Sequence, residues 1–251
     1  MISLRGKNAL VTGGSRGIGA ATALLLADAG ANVGIGYRSR ETEAGEVVRD
    51  IASRGVKAFA HAADLSSAKE TEGLFERAKR EFGGLDIFVG NAGIWPAEET
   101  PVAEMTDERW IDTMRQNVDS IFYCSRVAAR MLGSGGRIVL ISSTAGQRGE
   151  AFHADYGASK GAIISFVKSF AIELAPRDIT VNSVAPGWVD TEMSWPAFGG
   201  DAKERIRKTI PIGRIASAMD IAGPIVFLCS DLARHVTGEI LNVNGGSVLC
   251  G

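Results

Sequence analysis

The chain has 251 residues, 45% of them hydrophobic, with 31 glycines and a formal net charge of -2. This length is enough for one sizeable core, and the near-neutral charge with scattered basic residues argues against a nucleic acid or an anionic membrane as partner. Its three cysteines are far apart and lack histidines at metal-ligand spacing, so neither a disulfide framework nor a metal site is predicted. Without a signal-type segment or an apolar run of about 18 residues, we expect a cytoplasmic protein.

Short apolar runs alternate with amphipathic stretches along the whole chain, which predicts alternating strands and helices. This alternation favours one α/β domain over residues 1–251, a Rossmann fold with a doubly wound, seven-stranded parallel sheet and helices on both faces. The segment 191–211 breaks the pattern with prolines and glycines, and we interpret it as a substrate lid. The predicted strands are centred on Ala9–Val11, Val33–Gly36, Ala58–Ala60, Ile87–Val89, Ile138–Ile141, Val181–Val184 and Ile240–Val243. The predicted helices span 17–29, 41–53, 67–82, 106–132, 155–175 and 217–230.

A glycine-rich turn, TGGSRGIG at residues 12–19, follows the first predicted strand and opens a helix. Glycines at such a place let the backbone approach a pyrophosphate, whose charge is stabilised by free N–H groups and by the helix dipole. The turn therefore predicts a dinucleotide site at the carboxyl end of the strand. Residues of this turn predicted to bind the cofactor are Gly13, Ser15, Arg16, Gly17, Ile18 and Gly19.

The end of the second predicted strand indicates which dinucleotide to expect. A protein that reads unphosphorylated ribose usually has Asp or Glu there, but this chain has Tyr37, Arg38 and Ser39. No carboxylate would repel a 2′-phosphate, and Arg38 with Arg16 can hold that dianion through bidentate hydrogen bonds. We therefore predict NADPH (NADP) rather than NADH as the cofactor. The alternative is that both arginines are solvated surface residues.

Tyr156 and Lys160 lie four residues apart in a predicted helix, so their side chains point the same way, about 5–6 Å apart. A free phenol titrates near pH 10, whereas an efficient acid needs a pKa near the working pH. At about 4 Å and an effective dielectric constant of about 20, the ammonium would favour the phenolate by about 4 kcal/mol. The pair therefore predicts a tyrosine whose pKa is lowered toward neutrality, although such pairs also occur by chance in many helices.

The order of these motifs resembles that of the short-chain dehydrogenase/reductase family. The likeness covers essentially the whole chain and rests on the glycine turn, on NAG at 91–93, on a serine thirteen residues before YxxxK, and on PG at 186–187. Within the family, TGGSRGIG, YGASKGAI, ITVNSVAPGWVDTEM and VNGG most resemble the 3-oxoacyl-acyl-carrier-protein reductase group. Two positions depart from the family pattern, Gly90 standing in place of an asparagine and Asn244 in place of an aspartate.

The resemblance implies four catalytic residues. Tyr156 would donate a proton to the developing alkoxide while Ser143 hydrogen-bonds that oxygen, with Ser142 as the rival for the second role. Lys160 would lower the pKa of Tyr156 and bind the nicotinamide ribose. Asn117 would hold a water that relays protons, unless it only caps or kinks its long helix. Further cofactor residues implied by the resemblance, besides Tyr156 and Lys160, are Asp64, Leu65, Asn91, Ala92, Gly93, Pro186, Gly187, Val189 and Thr191.

Large apolar side chains near the predicted crevice suit an acyl chain or a hydrophobic ketone. Together with the resemblance to 3-oxoacyl-acyl-carrier-protein reductases, this favours an NADPH-dependent reductase of a small-molecule carbonyl substrate, with a 3-oxoacyl thioester as the first choice, whether or not a carrier protein delivers it. A sugar or polyol dehydrogenase is the alternative reaction, since Glu150 and His153 can meet hydroxyl groups. A non-catalytic NADP sensor is the alternative of a different class. The predicted substrate-pocket residues are Trp95, His153, Trp188, Met193 and Trp195.

Self-association is also predicted. Helices 106–132 and 155–175 carry apolar residues around much of their circumference, and an apolar C-terminus, Val248–Cys250, would be an exposed liability unless a neighbour covered it. The family resemblance implies a homotetramer.

Overall fold

The chain forms one parallel sheet with helices on both faces, in a computed structural model that describes residues 2–249. Within that range, no helix combines the length and the apolar character needed to cross a membrane. The strands are Asn8–Thr12 (β1), Asn32–Tyr37 (β2), Ala58–Ala62 (β3), Leu85–Gly90 (β4), Leu132–Ile141 (β5), Thr180–Pro186 (β6) and Ile240–Val243 (β7). The helices are Gly17–Asp28 (α1), Glu41–Ala52 (α2), Ala68–Phe82 (α3), Asp107–Met114 (α4), Ser120–Met131 (α5), Thr144–Arg148 (α6), Ala154–Leu174 (α7), Ala202–Thr209 (α8) and Ala218–Leu228 (α9).

The strands lie side by side in the order β3-β2-β1-β4-β5-β6-β7, and each neighbouring pair is parallel. The predicted seven-stranded, doubly wound sheet is therefore confirmed. β1 has β2 on one side and β4 on the other, so the order of strands reverses at β1. Such a reversal opens a crevice at the carboxyl ends of β1 and β4, where ligands bind in open sheets of this type.

Successive side chains of each strand enter two separate cores, one on each face of the sheet. In β1, Val11 belongs to the core that includes α1 and α2, whereas Leu10 belongs to the core that includes α3, α5 and α7. In β4, Ile87 and Val89 join the first core and Phe88 joins the second. Because both faces are buried, strands such as β1 and β4 contain a continuous apolar run, which is why the sequence pattern predicts them well.

The prediction of a single helix over 106–132 is wrong. The structure has two helices there, α4 and α5, which are joined by a π-helical turn, Arg115–Asp119. Asn117 lies in this turn, is fully buried, and directs its side chain to the backbone of Ile94. Single π turns inside helices often occur at functional sites. A search for a period of 3.6 residues does not reveal them.

Two helices lie outside the predicted spans. α6 has five residues, follows Ser143 directly, and stops at Gly149, whose φ of +77° favours glycine. α8 lies within the segment 191–211, together with a 3₁₀ turn at Trp195–Phe198. Neither helix gives a periodic apolar pattern, because α6 is little more than one turn and α8 consists mostly of charged residues.

Candidate active site

The glycine turn between β1 and α1 lies in the crevice. Gly13 and Gly17 have φ values of +63° and +53°, a region that favours glycine. A Cβ on Gly19 would lie 2.1 Å from Gly13 O, so a larger residue would prevent the turn from closing. Gly17 and Ile18, the first residues of α1, line the crevice, and the first N–H groups of a helix are suited to binding a phosphate group.

Thr12 joins the glycine turn to the loop that follows β4. Its hydroxyl accepts hydrogen bonds from Asn91 N at 3.0 Å and from Ala92 N at 3.1 Å. Asn91 Nδ2 donates in return to Thr12 O at 2.9 Å. These bonds hold the carboxyl ends of β1 and β4 together and fix the wall of the crevice that includes Asn91 and Gly93.

Ser143, Tyr156 and Lys160 line a single cavity beyond the carboxyl end of β5. The hydroxyl of Ser143 hydrogen-bonds the phenol of Tyr156. Lys160 Nζ lies 5.7 Å from the centroid of the Tyr156 ring and donates to Ile141 O at 3.0 Å. Ser142 is committed to a backbone contact, because its Oγ donates to Lys160 O at 2.8 Å. Of the two serines, Ser143 is therefore the one paired with the phenol.

Burial dominates the electrostatics of Tyr156. Desolvation raises the pKa of Tyr156 to about 12, against the effect of the Ser143 hydrogen bond and reinforced by the charge of Glu150. Desolvation also lowers the pKa of Lys160 to about 8. The expectation that Lys160 brings the tyrosine toward neutrality is therefore wrong here, because both groups lose solvation on burial. The phenol stays protonated at neutral pH, which is the form that donates a proton.

Asn117 is held close to Lys160 by three hydrogen bonds. Its Oδ1 accepts from Ile94 N at 2.7 Å, and its Nδ2 donates to Ile94 O at 2.9 Å and to Ser159 Oγ at 3.0 Å. A Cβ on Gly93 would lie 2.9 Å from Asn117 Oδ1 and 3.4 Å from Lys160 Nζ. Asn117 thus fastens the loop after β4 to α7, although it is not one of the described residues that line the cavity.

A second cavity adjoins the first and extends to the carboxyl end of β2. The predicted ribose-binding residues Tyr37, Arg38 and Ser39 line it, and Arg38 donates to Gln116 Oε1 at 3.0 Å. Arg40 lines it too, and sequence reasoning missed this residue because the strand pattern does not show how the chain turns after β2. Lining residues shared by the two cavities are Ile18, Asn91, Gly93, Ile94, Thr191 and Met193.

The residues of the two cavities fit a long anionic ligand such as a dinucleotide, since one end has the glycine turn and arginines and the other has the Tyr156 side chain. Two predicted cofactor residues are set back from both cavities in the described structure. Gly19 packs against the turn, and the Asp64 carboxylate accepts a hydrogen bond from Ser66 N at 3.0 Å. Predicted cofactor residues that line a cavity are Gly13, Ser15, Arg16, Gly17, Ile18, Tyr37, Arg38, Ser39, Leu65, Asn91, Ala92, Gly93, Tyr156, Lys160, Pro186, Gly187, Val189 and Thr191.

Three of the predicted substrate residues, Trp95, Trp188 and Met193, line the first cavity. His153 stands behind this wall, stacked on Trp95 with ring centroids 5.0 Å apart. Trp195 is 58% exposed, and its indole N–H donates at 3.1 Å to a surface carboxylate. It is therefore outside the cavity wall, because the 3₁₀ turn that begins at this residue directs the ring to the surface.

Arg148 and Glu150 give the first cavity a polar corner. Burial raises the pKa of the Glu150 carboxyl, which accepts a hydrogen bond from the Trp95 side chain and lies 3.9 Å from His153 Nδ1. Sequence reasoning placed Glu150 only in the alternative reaction and did not consider Arg148. The sequence did contain a signal that Arg148 and Glu150 line the cavity. They lie between Ser143 and Tyr156 in the chain, and a segment that joins two cavity residues passes close to the cavity.

The sequence predicts a carbonyl reductase, and the rate of such a reaction is expected to fall as pH rises through about 8, because Lys160 loses its proton there and no longer stabilises the phenolate that remains after proton donation. The phenol itself keeps its proton well above that pH. The measurement is kcat/KM against pH, which reports groups of the free enzyme. Lys160→Arg should remove the decline at whatever activity it retains, whereas Lys168→Arg, at an exposed position of the same helix, should keep it. A wild-type profile that stays flat to pH 10 would contradict this expectation.

A Rossmann sheet with a glycine turn, and with Ser143, Tyr156 and Lys160 gathered at the crevice, defines an oxidoreductase of the short-chain dehydrogenase type. A family model described as enoyl-(acyl carrier protein) reductase matches residues 13–247. The chain belongs to the short-chain dehydrogenase/reductase family.

Relatives and solved structures resemble this chain over nearly its full length. The 3-oxoacyl-[acyl-carrier-protein] reductase FabG of Staphylococcus aureus is 39% identical, over 96% of this chain and 97% of the relative. The protein of the same name from Escherichia coli is 40% identical over 98% of each chain. A short-chain dehydrogenase from Burkholderia cenocepacia, solved in complex with NADP, has a TM-score of 0.92 and 40% identity, over 97% of this chain and 98% of that chain. A dehydrogenase/reductase from Sinorhizobium meliloti has a TM-score of 0.93 and 40% identity, over 98% and 97%.

Proposed function

We propose that the protein reduces a ketone with NADPH as the hydride source, and that its substrate is a 3-oxoacyl thioester. The observation that carries the proposal is that Ser143, Tyr156 and Lys160 share a cavity adjoining a second one lined by arginines. The likeness to 3-oxoacyl-[acyl-carrier-protein] reductases supports the thioester, as does the apolar wall formed by Trp95 and Trp188.

In this proposal the bound nicotinamide supplies the hydride, and the residues of the chain position and polarise the carbonyl group. Ser143 donates a hydrogen bond to the carbonyl oxygen. Tyr156 transfers its phenolic proton to that oxygen as negative charge develops. Lys160 binds the cofactor ribose and stabilises the phenolate, and Asn117 keeps the neighbouring loop in place. The segment 191–211 acts as the lid, and its first residue, Thr191, lines both cavities.

The double substitution Tyr37→Asp with Arg38→Ala is expected to lower the preference for NADPH over NADH by about 10- to 100-fold. The change removes one charged contact to the 2′-phosphate, which contributes about 1.5–3 kcal/mol, and adds a carboxylate that accepts ribose hydroxyls. The measurement is the ratio of kcat/KM for the two cofactors. Arg49→Ala, which removes an exposed arginine from α2, is the control and should leave the ratio unchanged. An unaltered preference in the double variant would refute the assignment of Arg38.

A sugar or polyol dehydrogenase is the second candidate. Arg148 and Glu150 line the substrate cavity, and their polar groups suit hydroxyls better than an alkyl chain. The same Ser143 and Tyr156 can serve the oxidation of an alcohol. A non-catalytic NADP sensor has less support, since a sensor has no need of Ser143, Tyr156 and Lys160 in contact with one cavity.

Steady-state kinetics with three substrate classes tests the proposal. Acetoacetyl thioesters, aromatic ketones and sugars are each assayed with NADPH and NADH, or with the oxidised cofactors for sugars. The expected result is the highest kcat/KM for the thioester with NADPH. If a sugar gives the highest kcat/KM instead, the protein is a sugar or polyol dehydrogenase and the thioester proposal is wrong. Binding of NADPH without turnover of any substrate would favour the non-catalytic NADP sensor.

We also propose that the protein assembles as a homotetramer. Trp110, Ile111 and Phe122, on α4 and α5, are exposed and apolar, and Leu249 is 90% exposed. Cys250, part of the predicted apolar C-terminus, lies outside the described residues. Light scattering of the purified protein should give the mass of four chains, and a mass of one chain or of two chains would contradict the proposal.

A further inference from the structure

Three charged residues form a bridge across the wall of the second cavity. Arg16 immediately precedes α1, Arg40 immediately precedes α2, and Glu192 follows Thr191 at the start of the segment 191–211. The Glu192 carboxylate forms an ion pair with Arg16, and its Oε2 lies 3.8 Å from Arg40 Nη2. All three side chains line the cavity, so the bridge connects both arginine-bearing turns to the proposed lid.

The charges of this cavity favour an anion. Arg16, Arg38 and Arg40 come from two separate turns and line the same space. Among the described residues that line it, Glu192 is the one acidic side chain. A guanidinium group binds a carboxylate or a phosphate with the same donor geometry. Glu192 therefore occupies a donor of Arg16 and lies close to Arg40, and a phosphate group on the cofactor ribose would need both guanidinium groups.

We propose that Glu192 is a specificity-determining residue that competes with the cofactor 2′-phosphate for Arg16 and Arg40. This inference rests on the proposed use of NADPH. A phosphate dianion displaces the carboxylate because it carries more charge and more acceptor oxygens. NADH has no phosphate at this position, so its binding leaves the bridge intact.

Displacement of Glu192 is also expected to affect the substrate cavity, because the residues on either side of it line that cavity. Thr191, its neighbour in the chain, lies against the glycine turn, since a Cβ on Gly17 would be 3.4 Å from Thr191 Cγ2. Thr191 and Met193 line both cavities. Breaking the bridge therefore removes one of the contacts between the beginning of the proposed lid and the glycine turn when the phosphorylated cofactor is bound.

The test is the binding of NADPH and NADH to the full-length Glu192→Gln variant, measured by isothermal titration calorimetry. The amide removes the ion pair and the repulsion of the phosphate, so the Kd for NADPH should fall about three- to tenfold, while the Kd for NADH should change less than about twofold. Glu81→Gln is the matched control, because it removes the same charge and an exposed ion pair, with Arg77, from α3. It should alter neither Kd.

The results separate the inference from the proposed function. A wild-type protein that binds NADH as tightly as NADPH would refute the NADPH proposal itself. If the wild-type protein prefers NADPH but Glu192→Gln binds NADPH no more tightly than the wild type, the proposed competition by Glu192 is refuted and the NADPH proposal stands. Equal tightening of NADPH and NADH would overturn it as well, because the effect would then not involve the 2′-phosphate.

Discussion

Tyr156→Phe is expected to lower kcat for ketone reduction by about 10²- to 10⁴-fold, the usual contribution of a positioned general acid. The substitution removes one oxygen and leaves the ring, so the packing of α7 should be unchanged. The phenol is partly buried and hydrogen-bonded to Ser143 in the cavity that we assign to the substrate. The Kd for NADPH should therefore change by less than about twofold. The measurements are kcat with the best ketone substrate and NADPH binding by calorimetry.

Tyr123→Phe provides the matched control. Tyr123 lies on α5, where its ring packs against Phe122 and Arg126, and it is not one of the described residues that line either cavity. The same loss of a hydroxyl at this position should leave kcat unchanged. Activity of Tyr156→Phe within a factor of two of the wild type would remove the phenol from the mechanism.

Arg109→Ala is expected to lower the free energy of unfolding by about 3–5 kcal/mol, the range for removing one partner of a buried ion pair. Asp155 is fully buried, and Arg109 Nε donates to its Oδ2 at 3.0 Å. Burial alone would raise the pKa of the Asp155 carboxyl, but hydrogen bonds from Arg109 and Thr113 hold it below its ordinary value. The variant would leave a buried carboxylate without its counter-charge, one residue before Tyr156. Urea denaturation at neutral pH measures the loss.

Two further variants show whether the loss of stability comes from the burial of the ion pair. Arg205→Ala removes an arginine whose ion pair with Asp201 is largely exposed, so the change should be below about 1 kcal/mol. Arg109→Lys keeps the charge but loses the second donor, and it should fall between the wild type and Arg109→Ala. If Arg109→Ala were no less stable than Arg205→Ala, the buried pair would contribute no more than an exposed one.

The strands were predictable from the sequence, whereas the details of the helices were less so. A strand such as β4 is buried on both faces and therefore stands out as an apolar run. The π turn at Arg115–Asp119 has no such signature, because it depends on the contact between Asn117 and the backbone of Ile94. α6 is too short for a periodic pattern and depends on capping by Ser143.

The sequence predicted those parts of the candidate site that depend only on residue type and on position in the chain. An example is Tyr156, which lies four residues before Lys160 on the same helix. The pKa of Tyr156 was not, because it depends on how much water surrounds the phenol, and burial raises it to about 12. The orientation of Trp195 and the pairing of Glu192 with Arg16 also depend on how the chain after Asp190 packs against the glycine turn. Such long-range contacts leave no local pattern in the sequence.

Hydride transfer itself can be followed with NADPH that carries deuterium at the reactive position of the nicotinamide, given to the wild-type protein with an acetoacetyl thioester. Mass spectrometry of the product should show one deuterium on the carbon that was the ketone, and Tyr156→Phe should form that product far more slowly. A wild-type protein that binds the cofactor yet forms no labelled alcohol from any ketone supplied would contradict the assignment of Ser143, Tyr156 and Lys160 as a reducing site.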